Sequence, residues 1–95
     1  MVGRMQQRYK LTISGQVQGV GYRRWFQQQA IQLQVCGWVR NLPTGQVEAL
    51  VITTPAQLQR LIEFAYIGPN LAQVIEVSTV SDEGVIGFQD FQIIK

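Results

Sequence analysis

The feature that most constrains this chain is the way its hydrophobic period changes along the sequence. Arg8 to Ser14 alternate, with Tyr9, Leu11 and Ile13 on one side and Lys10, Thr12 and Ser14 on the other. That is the period of a half-buried strand. After a glycine-rich loop, Tyr22, Trp25, Phe26, Gln29, Ala30 and Leu33 recur at helical spacing, which predicts an amphipathic helix. Val35 to Leu42 and Gln46 to Thr53 read as two further strands, joined by the turn chemistry of Leu42-Pro43-Thr44-Gly45. A second helix is clearly punctuated: Thr54 as N-cap, Pro55 in the first helical position and Gln57 completing a capping box. Leu58, Leu61, Ile62, Ala65 and Tyr66 form its apolar stripe, and Gly68-Pro69 stops it. Leu71 to Ser81 holds another strand, and Phe88 to Ile94 a short last one.

The order strand–helix–strand–strand–helix–strand, with a short extra C-terminal strand, predicts an α+β, ferredoxin-like split βαβ sandwich. Right-handed crossovers put both helices on one face of a mainly antiparallel sheet. Tyr9, Leu11, Ile13, Val47, Ala49 and Val51 are expected to face the helices, leaving the opposite sheet face open to solvent or ligand. Ninety-five residues suffice for one core. Residues 8–95 are expected to form a single domain behind a short disordered leader, residues 1–7, in which Met5 is an alternative start.

Hydrophobic content of 46% with 15% charged residues describes a globular protein. No apolar run approaches the roughly 18 residues of a transmembrane helix, and Met1 to Arg8 lack the apolar stretch of a secretory signal. One cysteine, Cys36, cannot form an internal disulfide, which fits a reducing, cytoplasmic setting. A monomer without a membrane partner is expected. The net charge is only +2, but Arg4, Arg8, Lys10, Arg23, Arg24 and Arg40 all precede the first acid, Glu48. The N-terminal half is therefore wholly cationic, as suits a small anionic ligand.

The chain contains no histidine, which removes His-based triads, His acid–base catalysis and most zinc sites. Cys36 has no partner to activate it and reads as a strand thiol. Asp82 and Glu83 are adjacent, read as a solvated turn, and do not share a strand face. The loop Gly15-Gln16-Val17-Gln18-Gly19-Val20-Gly21-Tyr22-Arg23 places three glycines in seven residues between a strand and a helix. Flexible backbone there can aim N–H groups at one point, beside the positive end of the helix dipole. Arg23 on the first turn opposes that dipole, which makes sense if an anion compensates it. Arg24 next door is read as surface. The Walker lysine is missing after Gly19, and Arg24 stands where the dinucleotide fingerprint needs its last glycine. What remains is a metal-free anion cradle, though a glycine turn also serves as a turn alone. Asn41 can orient a water without titrating, or simply begin the hairpin. Its spacing leaves both roles open.

Taken together, the glycine loop through Arg23, then Ala30, Leu33, Val35 and Gly37-Trp38-Val39-Arg40-Asn41-Leu42-Pro43-Thr44-Gly45-Gln46-Val47-Glu48, closely resemble the acylphosphatase family. The similarity continues through Gly68-Pro69, Ala72-Gln73-Val74 and Phe91-Gln92-Ile93. The resemblance implies hydrolysis of the carboxyl–phosphate bond of small acyl phosphates, with no metal and no cofactor. By motif match, the loop Gly15, Gln16, Val17, Gln18, Gly19 and Val20 binds the phosphate, its N–H groups from about Gln16 to Val20 acting with Arg23. Asn41 holds the attacking water. One departure stands out: where the family commonly has glycine after the first helix, this chain has Gln34. A left-handed glutamine there would cost about 1 kcal/mol.

Two other readings compete. Ferredoxin-like sheets also serve as RNA platforms, but those need aromatics on the open face, and Gln46 to Ile52 has none; no nucleic-acid partner is expected. Acylphosphatase-like modules also occur within larger carbamoyl-transfer proteins. No zinc-finger cysteines are present, and a free-standing protein is the expectation.

Overall fold

A computed structural model describes residues 5–95. The elements follow the expected order: β1 (Gln7–Gln16), α1 (Tyr22–Gln32), β2 (Cys36–Asn41), β3 (Val47–Thr53), α2 (Pro55–Ile67), β4 (Gln73–Ser81) and β5 (Phe91–Ile93). Of the expected leader, residues 1–4 lie outside the described residues, and β1 already begins at Gln7. The sheet order is β4-β1-β3-β2-β5. Every neighbouring pair is antiparallel except β2–β5, which is parallel.

The core forms where the two periods meet. Tyr9, Leu11 and Ile13 of β1 and Val47, Ala49 and Val51 of β3 pack in one buried cluster with Phe26, Ala30, Leu58, Leu61 and Ala65 of the two helices. The helix-facing register is as the alternation predicts. The opposite face departs from expectation, because every residue of β3 is buried. Glu48, Leu50 and Ile52 alternate with the helix-facing residues and are buried too, opposite Thr12, Lys10 and Arg8 on β1 and Arg40, Trp38 and Cys36 on β2. Arg40 Nη2 lies 2.7 Å from Glu48 Oε1, Lys10 Nζ is 4.0 Å from Glu48 Oε2, and the Arg40 guanidinium sits 5.2 Å from the Trp38 ring centroid. Charged groups with aliphatic stems thus shield apolar surface while their heads stay near water. Asp82 is also engaged: Arg8 Nε donates to its Oδ2 at 2.6 Å, and Arg8 Nη1 donates to the Val85 carbonyl at 2.8 Å. The solvated turn expected around Asp82 is instead strapped to β1.

Helix ends show why local sequence succeeds in places and fails in others. Thr54 Oγ1 accepts from the Gln57 N–H, as predicted. The Gln57 side chain does not complete the box; its amide donates to the Leu33 carbonyl at the end of α1. At that end, Gln34 N–H bonds to Ile31 O and Val35 N–H to Ala30 O, a Schellman arrangement that needs a left-handed residue at position 34. Gln34 takes φ +60°, and its Cβ crowds the backbone there. Replacing Gln34 with glycine is expected to stabilise the fold by about 1 kcal/mol, raising Tm by roughly 4–8 °C. A fall in Tm on thermal unfolding would contradict the strain.

Candidate active site

The register of β3 decides where the site forms. Val47, its first residue, lies opposite Ile13 of β1 on one side and opposite Asn41 of β2 on the other. Both neighbours run antiparallel to β3, so β1 and β2 are parallel to each other and end at one rim. With strands spaced about 4.8 Å, the loop after β1 and Asn41 are two strand widths apart. Helix α1 starts at the same rim. Gly21 is its N-cap at φ +80°, with no side-chain cap and no acid in the first turn. An added Cβ at Gly21 would meet nothing within 4 Å. The first-turn N–H groups and the positive dipole end are therefore left facing the rim.

These elements enclose a pocket of about 250 Å³. It brings Arg23, Asn41, Val17 and Gly19 together, along with Gly21, Tyr22, Arg24 and Ile93, which the sequence reading did not mark. Arg23 is half-buried, and among the described residues no carboxylate pairs with it. Asn41 Oδ1 is buried and accepts no hydrogen bond from the described residues. Such an atom is costly unless something outside the protein satisfies it. Arg24, read as surface from its helical phase, is exposed but lines the same pocket. A second, larger hollow of about 480 Å³ is lined by Ile31, Val35, Phe91, Cys36, two glutamines (Gln34 and Gln89) and Asp90, without any cation. Its electrostatics suit an anion poorly, so the smaller pocket is the better candidate.

The other marked loop residues do not line the pocket. Gly15 sits at a bulge where β1 pairs with β4, and a Cβ there would stand 2.1 Å from the Gln73 carbonyl oxygen. Close backbone approach requires glycine at this point. Gln16 pairs with Gln73, and Val20 packs against the core. Gln18 turns its side chain away to the hairpin after Asn41. Its Nε2 donates to the carbonyls of Leu42 (2.9 Å) and Gln46 (2.8 Å), cross-linking the loop to the strand end that carries Asn41. No local pattern announces such a contact across 24 residues of chain.

Tyr22 anchors the opposite side of the loop. Its hydroxyl donates to the Ala65 carbonyl at 2.7 Å. That carbonyl, in the last turn of α2, would ordinarily take the N–H of residue 69, but Pro69 has none. Burial pushes the Tyr22 phenol well above its usual value, because ionisation would place a charge in the core.

The fold is a ferredoxin-like α+β sandwich, and the pocket at its rim is cationic. A family model described as Acylphosphatase matches residues 9–93. The chain belongs to the acylphosphatase family. It is 46% identical to an acylphosphatase of Thermococcus kodakarensis over 86% of this chain and 92% of that one. It is 44% identical to an acylphosphatase of Acaryochloris marina over 90% of this chain and 91% of that one. The crystal structure of acylphosphatase from Bacillus subtilis superposes with a TM-score of 0.89 at 31% identity, covering 96% of this chain and all of that one.

Both anchors are testable. Gln18→Ala removes two hydrogen bonds, though the two carbonyls keep backbone donors from Gly45 and Leu42; the expected loss is about 1–2 kcal/mol in denaturant unfolding. Gln18→Glu should be worse at neutral pH, since a carboxylate only accepts and would face two carbonyl oxygens. For Tyr22, the unfolded phenol ionises above about pH 10 while the buried one stays neutral. Its stabilisation is complete below that pH and is lost as pH rises further. Tyr22→Phe should lower Tm at pH 7 by an amount corresponding to about 1 kcal/mol, and the gap from wild type should narrow above pH 10.

Proposed function

We propose that this chain is an acylphosphatase that hydrolyses the carboxyl–phosphate bond of acyl phosphates without a metal ion or cofactor. The observation that carries the reading is the meeting, in one pocket, of the Arg23 guanidinium, which has no carboxylate partner among the described residues, with the amide oxygen Asn41 Oδ1, which they leave unsatisfied. Arg23 binds two phosphoryl oxygens, and loop N–H groups between Gln16 and Val20 complete the cradle with the start of α1. Of those loop residues, Val17 and Gly19 line the pocket.

Asn41 Oδ1 accepts a hydrogen from the attacking water and holds its oxygen toward phosphorus. As the new O–P bond forms, the P–O bond to the acyl carbon's oxygen breaks, and the carboxylate departs with the electron pair. The proton of the water passes to a phosphoryl oxygen. A carboxylate leaves readily, so the protein need supply no strong acid. Its work is positioning and stabilising charge on the equatorial oxygens. Arg23 supplies that charge in the place a divalent ion takes in other phosphoryl-transfer sites.

Phosphate release from a simple acyl phosphate should persist in EDTA. Arg23→Ala and Asn41→Ala should each lower kcat/KM by at least about a hundredfold. Arg23→Ala should also weaken competition by inorganic phosphate. The pH–rate profile should carry no inflection from a protein group near neutrality. Robust turnover in either variant removes that residue's role, and loss of wild-type activity in EDTA removes the metal-free mechanism.

A further inference from the structure

We infer that Arg24 selects acyl phosphates whose acyl group carries a second negative charge, an inference that rests on the acylphosphatase reading of the same pocket. The lining residues differ in exposure. Asn41 and Arg23 are both half-buried, with the Asn41 Oδ1 atom itself buried, and Arg24 is exposed, yet all three belong to one pocket. A phosphoryl group held by Arg23 and attacked from Asn41 occupies the inner end. The acyl group then extends toward the mouth, where Arg24 and the 38%-exposed Ile93 stand.

Among the described residues, no ion pair or side-chain hydrogen bond engages Arg24. The described ion pairs join Arg8 to Asp82 and both Lys10 and Arg40 to Glu48. The first turn of α1 contains no acid. Arg24 therefore stands near the positive end of the helix dipole, which disfavours a cation there, as it does for Arg23 beside it in the chain. The phosphoryl group offsets this for Arg23. A second anionic group on the acyl chain offsets it for Arg24, while Ile93 contacts the methylene carbons between. A guanidinium recognises a carboxylate by the same two-pronged geometry it offers phosphate.

The test compares succinyl phosphate with butanoyl phosphate, which have four-carbon acyl chains and differ in the terminal carboxylate. Phosphate release is measured for wild type, Arg24→Gln and Arg24→Lys at low and raised salt. The ratio of kcat/KM for succinyl over butanoyl phosphate should fall about fivefold in Arg24→Gln, as expected for an exposed ion pair. Arg24→Lys should keep most of it, and salt should shrink it in wild type. A ratio unchanged by Arg24→Gln, or insensitive to salt in wild type, overturns the inference even if absolute rates change. Hydrolysis of butanoyl phosphate with an unchanged ratio leaves the acylphosphatase reading standing. Failure to release phosphate from either substrate removes both.

Discussion

The burial of β3 on both faces is the constraint from which the rest of the molecule follows. A strand buried on both sides must be paired on both edges, and here β1 and β2 flank it antiparallel. They are thereby made parallel to each other with β3 between them. Their ends, and the loops that follow, meet at one rim although residues 23 and 41 are far apart in sequence. Register is equally fixed. A slip of one residue would turn Val47, Ala49 and Val51 away from the helices and Glu48 into them. The same slip would carry Asn41 out of step with the loop after β1. Folding stability and the geometry of the candidate site are therefore one constraint.

Much of the architecture was legible because it rests on local periodicity. The faces of β1 and β3 and the cap and stop of α2 follow from residues close in the chain, whereas the left-handed site at Gln34 was indicated by the glycine that the acylphosphatase family commonly has there. What escaped depends on contacts between distant segments. Leu50 and Ile52 are buried between β1 and β2, a setting that no single-strand pattern contains. Gln57 and Asp82 have partners on other elements, at Leu33 and Arg8. The pairing of Arg23 with Asn41 became readable only when both motifs were taken together. Arg24, read as surface, is indeed exposed, and that it also lines the pocket has a more specific reason. Helical phase assigns neighbours to different faces, but Cα–Cβ bonds tilt toward the helix N-terminus. On the first turn, adjacent side chains can therefore share the rim.

The two helices are finished differently at their N-termini. The start of α2 is closed by Thr54 and Pro55, and Gln57 spends its side chain on the end of α1. The start of α1 has no such closure, and its positive end opens to the pocket. The cost is limited by Tyr22, which ties the first turn of α1 to a carbonyl that proline had left without a donor. Gln18 does the same for the loop on the other side. The exposed helix end is thus held between two anchors, and it stays ordered without a cap.

Gly21 shows what kind of demand the loop makes on its sequence. Room for a methyl group exists there, whereas at Gly15 the backbone of β4 occupies that room. Position 15 excludes any side chain by size. Position 21 excludes them by handedness, since its φ of +80° is disfavoured for L-residues. The mirror-image residue, D-alanine, prefers that same region. The turn into the pocket is thus a requirement of chirality rather than of volume, and glycine is the one genetically encoded residue that meets it without strain.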